Sequence, residues 1–286
     1  LTIKPLHDLP EHLCFDEFKS VKSSDSNMSF IICDSTTHKL VDVVRDRKSY
    51  SLKQYFHRFE PKTRLKVKTI SIDMYLPYIQ LIKEMFPNAK IIIDPFHIVQ
   101  ALNRELNRTR VRVMNKHRYK DPKLYRKLKH YWKLILKNPN ELQNYKYNRY
   151  KLFESFMTTQ GIVDYILKNN PSLKHDYEVV HSLRECIQDR DYIEFKETIE
   201  AATQLDLSPG LKRVLKTLMT YLPYIQNTCE YPTRTNGPIE GINNKIKVLK
   251  RNAYGFRNYY HFRNRIILIT KMFGPKQKGI KQQLVA

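Results

Sequence analysis

Disulfides, acidic side chains and long apolar runs are all scarce in this sequence, and each scarcity removes a class of protein. Its four cysteines (Cys14, Cys33, Cys186 and Cys229) are scattered, with no CxxC pair. That spacing excludes a disulfide framework and a thiolate zinc site, and it predicts a reducing, cytoplasmic setting. Apolar runs such as 91–93 are far too short to span a bilayer, so no integral membrane protein is expected. No charged-then-apolar leader opens the chain, which predicts that it is not secreted. Leu1 stands where an initiator Met would, so the sequence reads as a piece of a longer chain or as one whose Met was removed.

Acidic residues number 28 against 51 Lys and Arg, leaving a formal charge of +23 and a pI near 9.8. A compact domain with this excess repels itself and attracts polyanions. Nucleic acid is the commonest such partner, with anionic membrane surface and ribosomal RNA as competitors. The hydrophobic share, 41%, is enough for a packed core and excludes a disordered chain. The 286 residues allow one large domain, or one domain carrying an insertion.

Short β-rich runs at 13–15, 30–33, 40–44, 67–72 and 90–93 are interleaved with helical patterns at 51–59 and 75–86. The turn-rich segment Ser35-Thr36-Thr37-His38-Lys39 predicts a hairpin between the second and third runs. Leu76, Ile79, Ile82 and Phe86 recur at helical spacing, with Pro77 tolerated in the first turn. The continuous apolar run at 90–93 is of the kind buried on both faces of a parallel sheet. A hairpin meander followed by strand-helix-strand crossovers predicts a mixed α/β sheet.

From 98 to about 224 the pattern turns helical, with basic and aromatic residues alternating, and this block reads as an all-helical insertion. Tyr-Leu-Pro-Tyr-Ile-Gln occurs at 75–80 and again at 221–226, too short and isolated a repeat for a solenoid. After a loop at 227–237, a helix starts at Pro238. Ile239, Ile242, Ile246 and Leu249 form one stripe on it, and Glu240, Asn244, Lys247 and Arg251 another. The chain is therefore divided at 1–112, 113–226 and 227–286.

Acids follow several strand runs, where open α/β sheets place their sites. Phosphoryl transfer on DNA with two metal ions needs hard oxygen ligands converging from separate elements. Asp16 and Asp73, with Glu240 from a helix on the sheet, are placed to supply them. Each has a plainer role open to it: Asp16 as a strand-end acid, Asp73 as a helix cap, Glu240 as a first-turn acid. Asp34 is a rival for the first position, though Ser35-Thr36-Thr37 makes a turn role natural. Asp94-Pro95 is a self-sufficient helix start. His97, one turn on, is a partial metal pair with Asp94, a polar brace or a phosphate contact.

The segment SIDMYLPYIQLIKEMFPNAKIIIDPFHIVQ, followed far downstream by NGPIEGINNKIKVLKRNAYGFRNYYHFRNRI, resembles the DDE transposases of the ISL-three insertion-sequence family. HLCFDEFKS resembles that family's first catalytic strand. The family is similar to the Mutator-like transposases. The resemblance covers essentially the whole chain and implies an α/β fold: an RNase H-like mixed five-stranded sheet with flanking helices, interrupted by a large all-α insertion. It implies Asp16, Asp73 and Glu240 as the catalytic, metal-binding triad, holding two Mg2+ (or Mn2+) ions. Asp94 and His97 match the auxiliary Asp-x-x-His signature, and Asp94 is the alternative second metal ligand.

The implied activity is metal-dependent cleavage at insertion-sequence ends, followed by strand transfer to target DNA. The implied partners are DNA and a second copy of the chain, with no membrane, in the nucleoid region of a bacterial cytoplasm. Asn244, Lys245, Lys247, Lys250, Arg251 and Arg257 are expected to contact DNA. Tyr254, Phe256 and Phe262 could stack on a distorted end base; we assign them instead to the core. The zinc-binding and helix-turn-helix regions of longer members have no counterpart in this sequence. The alternative is thus a truncated, catalytically incompetent remnant that only binds DNA. A third alternative, a basic RNA-binding protein, predicts no convergence of Asp16, Asp73 and Glu240.

Overall fold

The computed structural model describes residues 8–24 and 27–272. They form two compact units, one built from the chain up to Asp94 and from Tyr231 onward, the other from Pro95–Glu230. In the first unit β1 (His12–Lys19), β2 (Met28–Asp34) and β3 (Leu40–Val44) make an antiparallel meander. Helices α1 (Ser49–Phe56) and α2 (Pro61–Leu65) lead to β4 (Thr69–Ile72), and α3 (Leu76–Met85) leads to β5 (Lys90–Ile93). The sheet order is β3-β2-β1-β4-β5, with β1, β4 and β5 mutually parallel. This is the expected RNase H-like mixed five-stranded sheet. The fourth strand is shorter than predicted, because Pro61 starts a helix whose last turn takes the Val67 amide onto the Arg64 carbonyl.

In the second unit α4 (Pro95–Lys116), α5 (Pro122–His130) and α6 (Trp132–Leu136) are followed by β6 (Asn148–Arg149) and β7 (Phe156–Met157), a two-residue-per-strand hairpin. That hairpin is the exception to an otherwise helical insertion. Helices α7 (Thr159–Lys168), α8 (Pro171–Asp189), α9 (Tyr192–Ala202) and α10 (Pro209–Glu230) complete it. A buried carboxylate ties three of its parts together. Asp176 accepts from the Thr109 hydroxyl at 2.7 Å and from the Ser208 amide at 3.0 Å, just ahead of α10. The chain then returns to the first unit as α11 (Gly237–Asn252) and α12 (Tyr259–Met272).

Strand alternation gives the sheet two different cores. On one face Phe15 packs on Phe30, Phe56 and Phe86, with ring centroids 5.0, 5.6 and 6.1 Å away. On the other, Cys14, Phe18, Ile31 and Cys33 pack against Ile239, Ile242 and Ile246 of α11 and Tyr259, Phe262 and Ile266 of α12. The predicted apolar stripe of α11 is thus the one that docks on the sheet. Asp42 of β3 is buried between the layers, accepting from the Tyr55 hydroxyl at 2.9 Å and paired with Arg263. Among the described residues no helix is long and apolar enough to cross a membrane.

Candidate functional site

The parallel ladders end in a row of acids. β1 pairs with β4 up to Cys14 and Ser71, and β4 with β5 up to Ile72 and Ile93. One residue beyond the second ladder Asp73 lies beside Asp94, whose amide still bonds to the Ile72 carbonyl at 2.9 Å. Two residues beyond the first ladder, the same register sets Asp16 level with Asp73. Neighbouring strands run about 5 Å apart, so the register puts these three acids at level positions on adjacent strands. Asp16 is not at the end of its strand, contrary to expectation. β1 stays paired with β2 as far as Lys19 and Met28, so Asp16 marks only the end of the parallel half.

The three acids share the parity of Cys14 and Ser71, which face the returning chain. The Cys14 thiol donates to the Thr235 carbonyl at 3.3 Å, and the Ser71 hydroxyl donates to the Arg234 carbonyl at 3.2 Å. Burial pushes the Cys14 thiol up to about 12, so it remains a protonated donor. The loop crossing here delivers Asn236 to the head of α11. Asn236 holds the N-cap position but makes no side-chain cap. Its amide NH2 instead bridges two strands, donating to the Phe15 carbonyl at 3.2 Å and the Asp73 carboxylate at 3.3 Å. Two turns on, Asn243 donates to the Asp16 carboxylate at 2.7 Å. A carboxylate only accepts, which fixes both amides with NH2 toward the acids. Asn236 and Asn243 each keep a buried carbonyl oxygen without a hydrogen-bond partner.

Glu240 lies on the same helical face between these asparagines, four residues after one and three before the other, and is exposed. Asp73 does not cap α3, whose N-cap is Tyr75. Asp34, by contrast, closes a turn, accepting from the Thr36 amide and the Thr37 amide and hydroxyl. His97 follows Asp94 by three residues in the first turn of α4. Asp73, Asp94 and His97 each present a ligand atom, and these atoms lie within 4.8 Å of one another. Asp16 and Glu240 are not in that group.

Of the residues expected at DNA, Asn244, Lys245, Lys247, Arg251 and Arg257 are exposed. Lys250 is anchored instead, its ammonium donating to the Lys19 and Ser20 carbonyls at 2.9 Å each. Burial and the nearby Lys19 lower its pKa. Lys247, Lys250 and Arg251 line a groove of about 420 Å³ beside Asn243, with Glu17 and Lys19 on its β1 wall. The sequence missed Asn236 and Asn243. Their spacing with Glu240 is the available signal: the face that meets the acids runs through Asn243, not through exposed Asn244.

A family model of ISL-three DDE transposases, described as "Transposase", matches residues 13–266. The transposase for insertion sequence element IS1001 of Bordetella parapertussis is 28% identical over 88% of this chain and 59% of its own length. A Lactococcus lactis subsp. lactis protein named "ATP-dependent protease" is 37% identical over 46% of this chain and 40% of its own length. The chain thus spans between two fifths and three fifths of the curated relatives it matches. No solved structure matches it.

Proposed function

The chain belongs to the ISL-three family of DDE transposases, and from that premise we propose that it is the part of an insertion-sequence transposase that cuts and joins DNA. The observation that carries this is the row of Asp16, Asp73 and Asp94 at the C-terminal edge of the parallel strands, facing the helix that carries Glu240. Family membership implies DNA binding and a polynucleotidyl-transferase type of activity. Cleavage at the element's ends, strand transfer and the choice of metal are the proposal's own.

The donor set suits Mg2+ or Mn2+. Carboxylates are the hard oxygen ligands these ions take, and Mg2+ keeps several of its waters. Buried amide oxygens without protein donors, on Asn236 and Asn243, are acceptors for such waters. Asp16 and Asp73, with Glu240, are the proposed ligands, and Asp94 with His97 completes the Asp73 side. A bound ion pair would activate the attacking oxygen and stabilise the leaving one. Asn236 and Asn243 hold the Asp73 and Asp16 carboxylates in fixed orientations. Lys247 and Arg251 neutralise phosphates along the adjacent groove. In the first step water adds to phosphorus and the P–O3′ bond breaks, leaving a 3′-hydroxyl and a 5′-phosphate. In the second, that 3′-hydroxyl attacks a target phosphodiester, releases its proton to solvent and displaces the target's own 3′-oxygen.

Asp73→Asn removes a charge without changing shape. It is expected to abolish metal-dependent nicking of a duplex bearing the element's end while leaving circular dichroism and salt-sensitive DNA binding unchanged. Near-normal nicking would remove Asp73 from the mechanism.

A further inference from the structure

The turn between α11 and α12 presents an aromatic ring that the fold does not use. α11 ends in a Schellman arrangement. The Gly255 amide bonds to the Lys250 carbonyl at 2.9 Å and the Tyr254 amide to the Arg251 carbonyl at 3.1 Å. The residue that must turn left-handed in this motif is usually glycine. Here it is Tyr254, with φ of 50°, while Gly255 comes one position later, at φ of 97°. A tyrosine in that conformation sets its Cβ against its own carbonyl, a strain glycine would avoid. Packing does not offset that strain, because Tyr254 is 101% exposed. The expectation that it belongs to the core is therefore overturned, although Phe262 is fully buried.

The turn itself is held firmly. Asn258 caps α12 by accepting from the Tyr260 and His261 amides at 2.8 and 3.2 Å. Phe256, two residues after Tyr254, packs its ring, tilted, against buried Phe262 with centroids 4.9 Å apart. Arg251 and Arg257, both exposed, flank the ring in sequence. A strained, wholly exposed aromatic on a hydrogen-bonded turn, with a cation on either side of it in sequence, matches a partner that is both polyanionic and flat-faced, and strain retained without a folding benefit is a mark of functional positions.

We infer that Tyr254 is a base-stacking residue, placing its ring on an unpaired nucleobase of DNA while Arg251 and Arg257 hold the neighbouring phosphates. This rests on the transposase reading and adds to it a contact with bases rather than with backbone. The ring supplies sequence-tolerant stacking, because every base has a π-face.

The test uses the whole chain and two probes: a blunt duplex, and the same duplex with a short single-stranded tail containing 2-aminopurine. Tyr254→Gly relieves the backbone and removes the ring, so it is expected to fold with an unchanged or raised Tm. Its affinity for the tailed probe should fall by about tenfold. Quenching of 2-aminopurine should be lost, the salt dependence should be unchanged and blunt-duplex binding should change far less. Tyr254→Phe should behave like the wild type. Affinity of Tyr254→Gly within twofold of wild type on the tailed probe overturns the inference, as does an equal loss on both probes. A wild-type chain without salt-sensitive DNA binding would sink the transposase reading and this inference together. Normal wild-type binding with an inert Tyr254→Gly sinks only the inference.

Discussion

Two asparagines do much of the positioning at the acidic edge. Asn236 spans Phe15 and Asp73, and Asn243 reaches Asp16. Asn236 is 5% exposed, so Asn236→Ala strands a buried carbonyl and should cost about 1–3 kcal/mol, read as a lower urea midpoint at unchanged slope. Asn243→Ala sits in a half-buried place and should lower the rate of metal-dependent cleavage while leaving DNA affinity close to wild type. Equal losses in rate and affinity would argue for a DNA contact instead. Asp16, Asp73 and Asp94 were visible in the sequence because an acid after a β-rich run is a local signal. Asn236 was hidden inside an Asn-Gly pair that reads as a turn. Asn243 and Asn244 differ by one helical step, and only the docked face decides between them. Tyr254 was misassigned because its neighbours Phe256 and Phe262 do pack.

Among the elements, those with strong periodicity or clear punctuation were legible: the five strands, α3, and α11 with its isoleucine stripe. The β6–β7 hairpin was not, since two-residue strands leave no alternation to detect. The helical unit also holds a pH-sensitive joint that periodicity does not reveal. His181 of α8 is buried, its Nε2 bonded to the Ile135 carbonyl at 3.0 Å and its Nδ1 3.1 Å from the Arg184 guanidinium. Arg184 only donates, so Nδ1 accepts and Nε2 carries the proton of a neutral ring. Burial lowers its pKa to about 4, with Arg184 adding to the shift and the Ile135 bond opposing it. Between about 4 and 6.5 the unfolded chain binds the extra proton and the folded one does not. Stability is therefore full above about pH 6.5 and is lost as pH falls, by about 2 kcal/mol at pH 5. Urea unfolding of wild type and His181→Gln at pH 7 and pH 5 checks this: the substitution should remove about that much of the pH dependence. Parallel curves for the two proteins would assign the acid sensitivity to other groups.

For the whole molecule, a charge of +23 said no more than "polyanion" when taken alone. The fold separates the two signs. Asp16, Asp73 and Asp94 line the strand edge, whereas Lys247, Lys250 and Arg251 line the groove next to Asn243. Under the proposed function, Lys247 and Arg251 would hold phosphates beside acids that would hold a metal, the pairing that metal-dependent DNA cleavage requires. That division depends on the parallel register of β1, β4 and β5, which aligns Asp16, Asp73 and Asp94 and is set by long-range pairing that no local pattern contains. Under the proposed function this edge is a divalent-metal centre acting on DNA. The most direct test is anomalous scattering from crystals of the protein–DNA complex soaked in Mn2+. Mn2+ is expected on the Asp73 carboxylate together with Asp16 or Asp94. A fully occupied DNA site with no Mn2+ at Asp73, or with Mn2+ only at other residues, would contradict it.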